Sequence, residues 1–403
     1  MQSVPQSSAG RRAIVLVFLG AVIEGFDLQA AGVAAPKLGP VFGLTPEQMG
    51  VFFSSATFGL IFGALLGGVI ADRWGRRAGL ATALLLFGVF SIATAWATGF
   101  QSLVVMRFLT GVGLGGALPN LVSIAAEAAE PGRRGRAVAL MYAGVPLGGA
   151  VVSVVAMLGL HDDWRSIFVV GGVLPLLLVV PLMTLLPPLT VDKTAQKNGE
   201  RTSIRSALFR PETLAPTLLL WAAFFFGLLV VYLLLNWLPQ LLVGSGLSRG
   251  QASFVQILFN VGGAIGSLIA GRLLDGERPS LAVGSCFAFL IVSLLAMSAV
   301  SGNFASTLVA GAVVGGAVLC AQALLYGIAP QCYPAEVRGT GVGISVAVGR
   351  LGSIAGPLYA GALLARGMSP EQVLYAILPI AAICGLATVM LVSRRHRLAV
   401  PAA

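Results

Sequence analysis

Charge is scarce in this sequence. Only 10% of its 403 residues are Asp, Glu, Lys or Arg, where a soluble domain carries about 25%, so a soluble globular fold is excluded. Reactive side chains are scarce as well. The four cysteines, Cys286, Cys320, Cys332 and Cys384, lack the CxxC spacing of a metal or redox site and are expected to be packing residues. The two histidines, His161 and His396, fall in a loop and in the tail, so neither supports a proton relay. Long polar stretches are nearly absent, which leaves no room for an extramembrane catalytic or receptor domain. What is abundant is apolar: 57% of residues belong to AVILMFWYC and the mean hydropathy is +0.93. The 52 Gly and 21 Pro, in such surroundings, let helices approach and bend, so disorder and collagen are excluded too. At about 20 residues per span plus short loops, the chain accommodates about 12 membrane-crossing helices.

Apolar runs bounded by charges, Pro or small polar clusters place spans near 13–35, 48–71, 78–98, 103–126, 137–159 and 167–187. A second set falls near 214–242, 251–271, 280–300, 304–329, 339–365 and 372–393. The N-terminus, with Arg11 and Arg12 before an apolar run, begins like a signal peptide, but Glu24 and Asp27 interrupt the run, and it reads as a retained first span. Nineteen of the 25 Lys and Arg fall on one side of this arrangement, four on the other, and Arg107 and Arg350 inside spans. The positive-inside rule then puts both termini in the cytoplasm. The basic surplus, net +10, is thereby assigned to loops, with no aromatic-laced basic patch for a nucleic acid.

The polar stretch 190–213 reads as a cytoplasmic linker between two six-helix halves, 1–189 and 214–403. A repeat supports the division. GVIAD (68–72) recurs as GRLLD (271–275), and Pro131 with Arg134-Gly135 recurs as Pro334 with Arg338-Gly339, at offsets of 203 to 204. The expectation is an all-α membrane protein of two pseudo-symmetric halves, with a site between them that opens to alternate sides.

Several spans carry residues that are costly in lipid. Glu24 and Asp27 in EGFDLQAAG are i and i+3, on one helix face. About 2.5–3.5 kcal/mol per mid-membrane charge demands a partner, a water cavity or a bound proton. Two carboxylates so close resist double ionisation, which suits a proton carrier. The competing reading is a polar helix end near the surface. Arg107 in RFLTGVGLGGALPN either snorkels outward or pairs inward, and the glycines around it read equally well as close packing. Arg350 in GISVAVGRLGSIAGP lies about 18 Å beyond Arg338 along the helix, beyond easy snorkelling. It has no obvious acid in its half, so a substrate carboxylate is one counter-ion and the carbonyls of the Gly-Pro region are the other. Asn120, Tyr142, Tyr232, Asn236, Trp237, Gln256, Asn260, Gln322 and Tyr326 are the remaining intramembrane polar and aromatic residues. Singly each is helix glue; together they line a cavity suited to a planar hydroxylated acid.

GVIADRWGRR, with Gly68 expected to let helices close up and with Asp72, Arg73, Arg76 and Arg77 at a helix end, resembles the signature loop of the major facilitator superfamily. The resemblance implies a gate at Asp72, Arg73 and Arg76, with Asp275 and Arg338 in the second half, where Gly276 and Glu277 depart from the pattern. EGFDLQAAG, RFLTGVGLGGALPN, MYAGVPLGGA and RGTGVGISVAVGRLGSIAGP together are similar to the aromatic acid:proton symporter branch. The short central loop, LLVVYLLLNWLP and Glu24 where other members have Asp are most similar to its bacterial 3-(3-hydroxyphenyl)propionate importers. This implies proton-driven uptake of an aromatic acid through the inner membrane, with Glu24 and Asp27 carrying protons, Arg107 pairing with Asp27, and Arg350 holding the substrate. A benzoate-type importer or an efflux antiporter of the same fold is the alternative. The implied partners are the aromatic carboxylate, protons and membrane lipids; the carrier is expected to be a monomer with no cofactor, metal or catalytic residue.

Overall fold

The computed structural model describes residues 8–130, 133–158, 163–186, 211–274, 279–300, 302–333 and 337–399. His161, Asp275 and most of the 190–213 stretch lie outside these. Twelve long helices follow one another: α1 Ser8–Phe42, α2 Pro46–Trp74, α3 Arg76–Ala95, α4 Phe100–Ala128, α5 Arg134–Met157 and α6 Arg165–Leu185. Then come α7 Pro211–Gly244, α8 Arg249–Leu274, α9 Pro279–Val300, α10 Phe304–Ile328, α11 Arg338–Ala365 and α12 Pro370–Ala399. Each matches one expected span, and all twelve contain a stretch long and apolar enough to cross a membrane. Several overrun the expected limits, α1 by five residues at its start and seven at its end. Hydropathy marks only the apolar middle, whereas in lipid the backbone must keep satisfying its own hydrogen bonds to the interface and beyond. No strand occurs among the described residues.

The chain divides into two compact units, Met1–Asp192 and Lys193–Ala403, and the local devices of one recur in the other. The hydroxyl of Thr45 accepts from Gln48 N at 3.3 Å while the Gln48 side chain accepts from Thr45 N at 3.0 Å, a reciprocal cap that starts α2. Ser248 and Gln251, 203 residues on, repeat it at α8, at 3.3 and 2.9 Å. Helix crossings repeat too. A Cβ on Gly59 of α2 would collide with the carbonyl oxygen of Phe108 on α4, and one on Gly262 of α8 with that of Ala312 on α10. Likewise Gly148 of α5 sits on the Val22 carbonyl of α1, and Gly352 of α11 on the Phe225 carbonyl of α7. Contacts this close admit only hydrogen at Cα, so glycine spacing sets where the helices cross.

Gly68, expected to be a close-packing residue, has open space around it; Gly67 is the one that meets α4, at the Cα of Gly116. One residue turns a helix by about 100°, which moves a glycine from one face to another. Gly75 ends α2 at φ 88°, a left-handed conformation that favours glycine, and its N–H donates to Ala71 O at 2.8 Å. Cys286, Cys320 and Cys384 are buried, and the Cys384 thiol donates to Ala223 O at 3.2 Å.

Candidate functional site

The first unit buries an ion pair. α1 packs against α4, α5 and α6, and α3 against α4 and α6. This packing brings Asp27 of α1, Arg107 of α4, Ser91 of α3 and Phe168 of α6 together. Arg107 Nη1 donates to both carboxylate oxygens of Asp27 at 2.9 Å, and Nη2 donates to the Asp27 carbonyl at 3.3 Å. Asp27 is 0% and Arg107 1% exposed, so the guanidinium turns inward and does not snorkel. Pairing offsets a desolvation penalty of several kcal/mol that each ion would suffer alone. Ser91 Oγ stands 3.2 Å from both Asp27 Oδ1 and the Phe168 carbonyl, and the Phe168 ring lies 5.6 Å from the guanidinium carbon. Glu24, one turn before Asp27, is 3% exposed. The arrangement holds a buried carboxylate with its counter-charge built in. The glycines near Arg107 serve packing: Gly111 and Gly115 sit on the carbonyls of Ala56 and Leu60 in α2.

In the second unit, Arg350 Nη1 donates to the Tyr232 hydroxyl at 2.7 Å across α11 and α7. The same guanidinium lies 6.0 Å from the Tyr232 ring centroid and is half-buried. Since the phenol oxygen accepts from Arg350, its own hydrogen is left to be donated elsewhere. At the Gly-Pro region, the Trp237 indole N–H donates to the Pro357 carbonyl at 2.9 Å. Asn120, Asn236 and Asn260 are buried, and each amide donates at 2.8–2.9 Å to the carbonyl four residues back on its own helix. Gln256 is fully buried. Tyr326 stacks edge-on with Phe224, centroids 5.2 Å apart, and, like Tyr142, is exposed. Gln322 is buried with both polar atoms of its amide unpartnered. It lines a small cavity of this unit with Gly227, Phe287, Leu290, Leu325 and Cys384.

At the α2–α3 turn, Asp72 and Arg73 are exposed, and Arg73 lies over the Trp74 ring at 5.8 Å. Arg76 forms an ion pair with Glu127 near the end of α4, Nε to Oε1 2.8 Å. Arg77 donates to the carbonyls of Met183 and Leu186 at the C-terminus of α6, where a cation complements the helix dipole. Arg338 is exposed at the start of α11. Sequence reasoning missed Glu127, Ser91 and Phe168. Glu127 is signalled by its place, with Glu130, just before the arginines that follow α4; Ser91 and Phe168 carry no signal, being a single hydroxyl and one of 21 phenylalanines in apolar spans.

Comparison with known proteins agrees over nearly the whole chain. The family model described as Major Facilitator Superfamily matches residues 17–250 and 240–402. The chain is 47% identical to a 3-(3-hydroxy-phenyl)propionate transporter of Escherichia coli (strain K12), covering 98% of this chain and 97% of that protein. It is 34% identical to the 4-hydroxybenzoate transporter PcaK of Pseudomonas putida, covering 96% and 93%. Among solved structures, a D-xylose-proton symporter superposes with TM-score 0.76 at 19% identity, covering 94% of this chain and 97% of the other, a likeness of fold.

Proposed function

The chain belongs to the Major Facilitator Superfamily, and from that premise we propose that it is a proton symporter that takes up an aromatic carboxylic acid, 3-(3-hydroxyphenyl)propionate or a close hydroxylated relative. The observation that carries the reading is the buried carboxylate pair of α1, with Asp27 neutralised by Arg107 and Glu24 one turn away. The 47% relative supplies the substrate class.

Both termini and the arginine-rich α2–α3 turn lie in the cytoplasm, and the membrane is a bacterial inner membrane. A monoanion entering against a negative-inside potential is opposed by about 2.3 kcal/mol per 100 mV. One proton makes the step neutral, and a second makes it favourable. Glu24 and Asp27 take protons from the outer side, and protonation of Asp27 weakens its hold on Arg107. Arg350, positioned by Tyr232, holds the substrate carboxylate. The turn bearing Asp72, Arg73 and Arg76 closes or opens the inner side, and in the sequence repeat of the second half its counterpart is Asp275, while Arg338 is the counterpart of Arg134.

Purified protein in proteoliposomes tests the reading. An inward proton gradient should drive accumulation of labelled 3-(3-hydroxyphenyl)propionate and collapse with a protonophore, while Glu24→Gln should keep substrate counterflow and lose accumulation. Accumulation indifferent to the gradient refutes symport, and equal preference for benzoate refutes the phenylpropionate assignment.

A further inference from the structure

Ser91 offers one hydroxyl hydrogen to two acceptors at the same distance, 3.2 Å: the Asp27 carboxylate and the Phe168 carbonyl. The close crossing of α3 and α6 brings this about. Gly88 and Gly172 lie on each other's carbonyls, and a Cβ on Gly171 would stand 3.4 Å from Ser91 Oγ. Phe168 is also tied to the ion pair from its other side, through its ring over Arg107.

A hydroxyl can donate only once, though it can accept as well. Ionised Asp27 accepts only, and as a charged acceptor it outcompetes the neutral Phe168 carbonyl, so the Ser91 hydrogen points to Oδ1. A protonated Asp27 carries a hydrogen of its own. It can then donate to Ser91 Oγ, and the Ser91 hydrogen turns to the Phe168 carbonyl. We propose that Ser91 is a positioning residue of the proton site, whose hydrogen-bond direction reverses with the protonation of Asp27 and so couples that event to the backbone of α6. No bond other than the O–H of Asp27 forms or breaks, and the proton remains on the carboxyl until it is released.

The surroundings leave few other groups to answer to pH. Facing Asp27, α4 supplies Arg107 and α1 supplies Glu24. The helices α2, α3, α5 and α6 carry charge only near their ends: Glu47, Asp72 and Arg73; Arg76 and Arg77; Arg134 and Arg136; and Arg165. Their one phenol, Tyr142, is exposed.

The inference rests on the proton-coupling reading, and two measurements separate their failures. In proteoliposomes, Ser91→Ala should move the midpoint of the pH profile of counterflow upward by about one unit, because the charged carboxylate loses a donor. Ser91→Cys, a weaker donor of similar shape, should fall between Ser91→Ala and wild type. In difference infrared spectra, the protonated-carboxyl band that Asp27→Asn removes should shift in Ser91→Ala. Absence of any band sensitive to Asp27→Asn would overturn the proton-carrier reading and the inference with it. A band present but unmoved in Ser91→Ala, or an unshifted pH profile, would overturn the inference alone.

Discussion

Neutralising one member of the Asp27–Arg107 pair should destabilise the protein far more than neutralising both, and the two single variants should differ in their response to pH. The pair is made of two 2.9 Å hydrogen bonds from one guanidinium nitrogen and a third at 3.3 Å to the backbone, all at 0–1% exposure. Removing one partner of such a pair leaves an uncompensated buried charge, at a cost of about 3–5 kcal/mol. Replacing both by neutral amides, Asp27→Asn with Arg107→Gln, removes both desolvation penalties and should recover most of that loss. A double-mutant cycle should therefore return a coupling of about 3 kcal/mol. The pH dependence follows from what each remaining group can do. In Arg107→Gln the lone carboxylate binds a proton as pH falls and sheds its charge, so the deficit relative to wild type shrinks in acid. In Asp27→Asn the guanidinium has no such escape, and the deficit shrinks only at the lower pH where wild-type Asp27 is itself protonated and the pair is lost in both proteins. SDS titration of the detergent-solubilised variants at several pH values measures all four corners. A double variant no more stable than the singles, or an Arg107→Gln deficit that grows as pH falls, would refute the assignment of a charged pair.

Arg350→Ala should weaken binding of the aromatic acid by about 30-fold to a few thousand-fold, the range for truncating a buried charge partner, and Tyr232→Phe by about tenfold; the uncharged amide analogue, titrated calorimetrically, should lose little, and equal losses for acid and amide would reduce Arg350 to a packing residue. Asp72→Asn should slow turnover without changing intrinsic substrate affinity, since a gate shifts populations and leaves the site intact; a large affinity loss in a protein locked in one conformation would place Asp72 in the binding site. Gly148→Ala puts a methyl onto the Val22 carbonyl and should force α1 and α5 apart, seen as a lower yield of monodisperse protein, whereas Gly68→Ala, with open space around it, should be neutral.

Much of the architecture was legible in the sequence, because it depends on quantities that add along the chain. Span number follows from apolar length against bilayer thickness. The 203-residue repeat named the paired halves, and the same offset reappears in the Thr45 and Ser248 caps. Intramembrane charge also identifies itself by its cost, so Glu24, Asp27, Arg107 and Arg350 stood out before any coordinate was known.

Which side chains meet was settled only by tertiary packing. The residues around Arg107 left it either snorkelling outward or pairing inward, and only the family resemblance pointed to Asp27; the crossing of α1 and α4 delivers it there. Arg350 and Tyr232, 118 residues apart, meet because α11 crosses α7. Gln322 turns into a small cavity of the second unit, and Gly67 takes the packing position that Gly68 was expected to hold. Ser91 and Phe168, with nothing in their sequence neighbourhoods to mark them, gain their roles from the place where α3 and α6 touch. Hydropathy is a sum over a segment and survives any rotation of the helix about its axis. A contact depends on that rotation, about 100° per residue, and on the tilt and depth at which two helices cross, and these are set by all the neighbouring helices together.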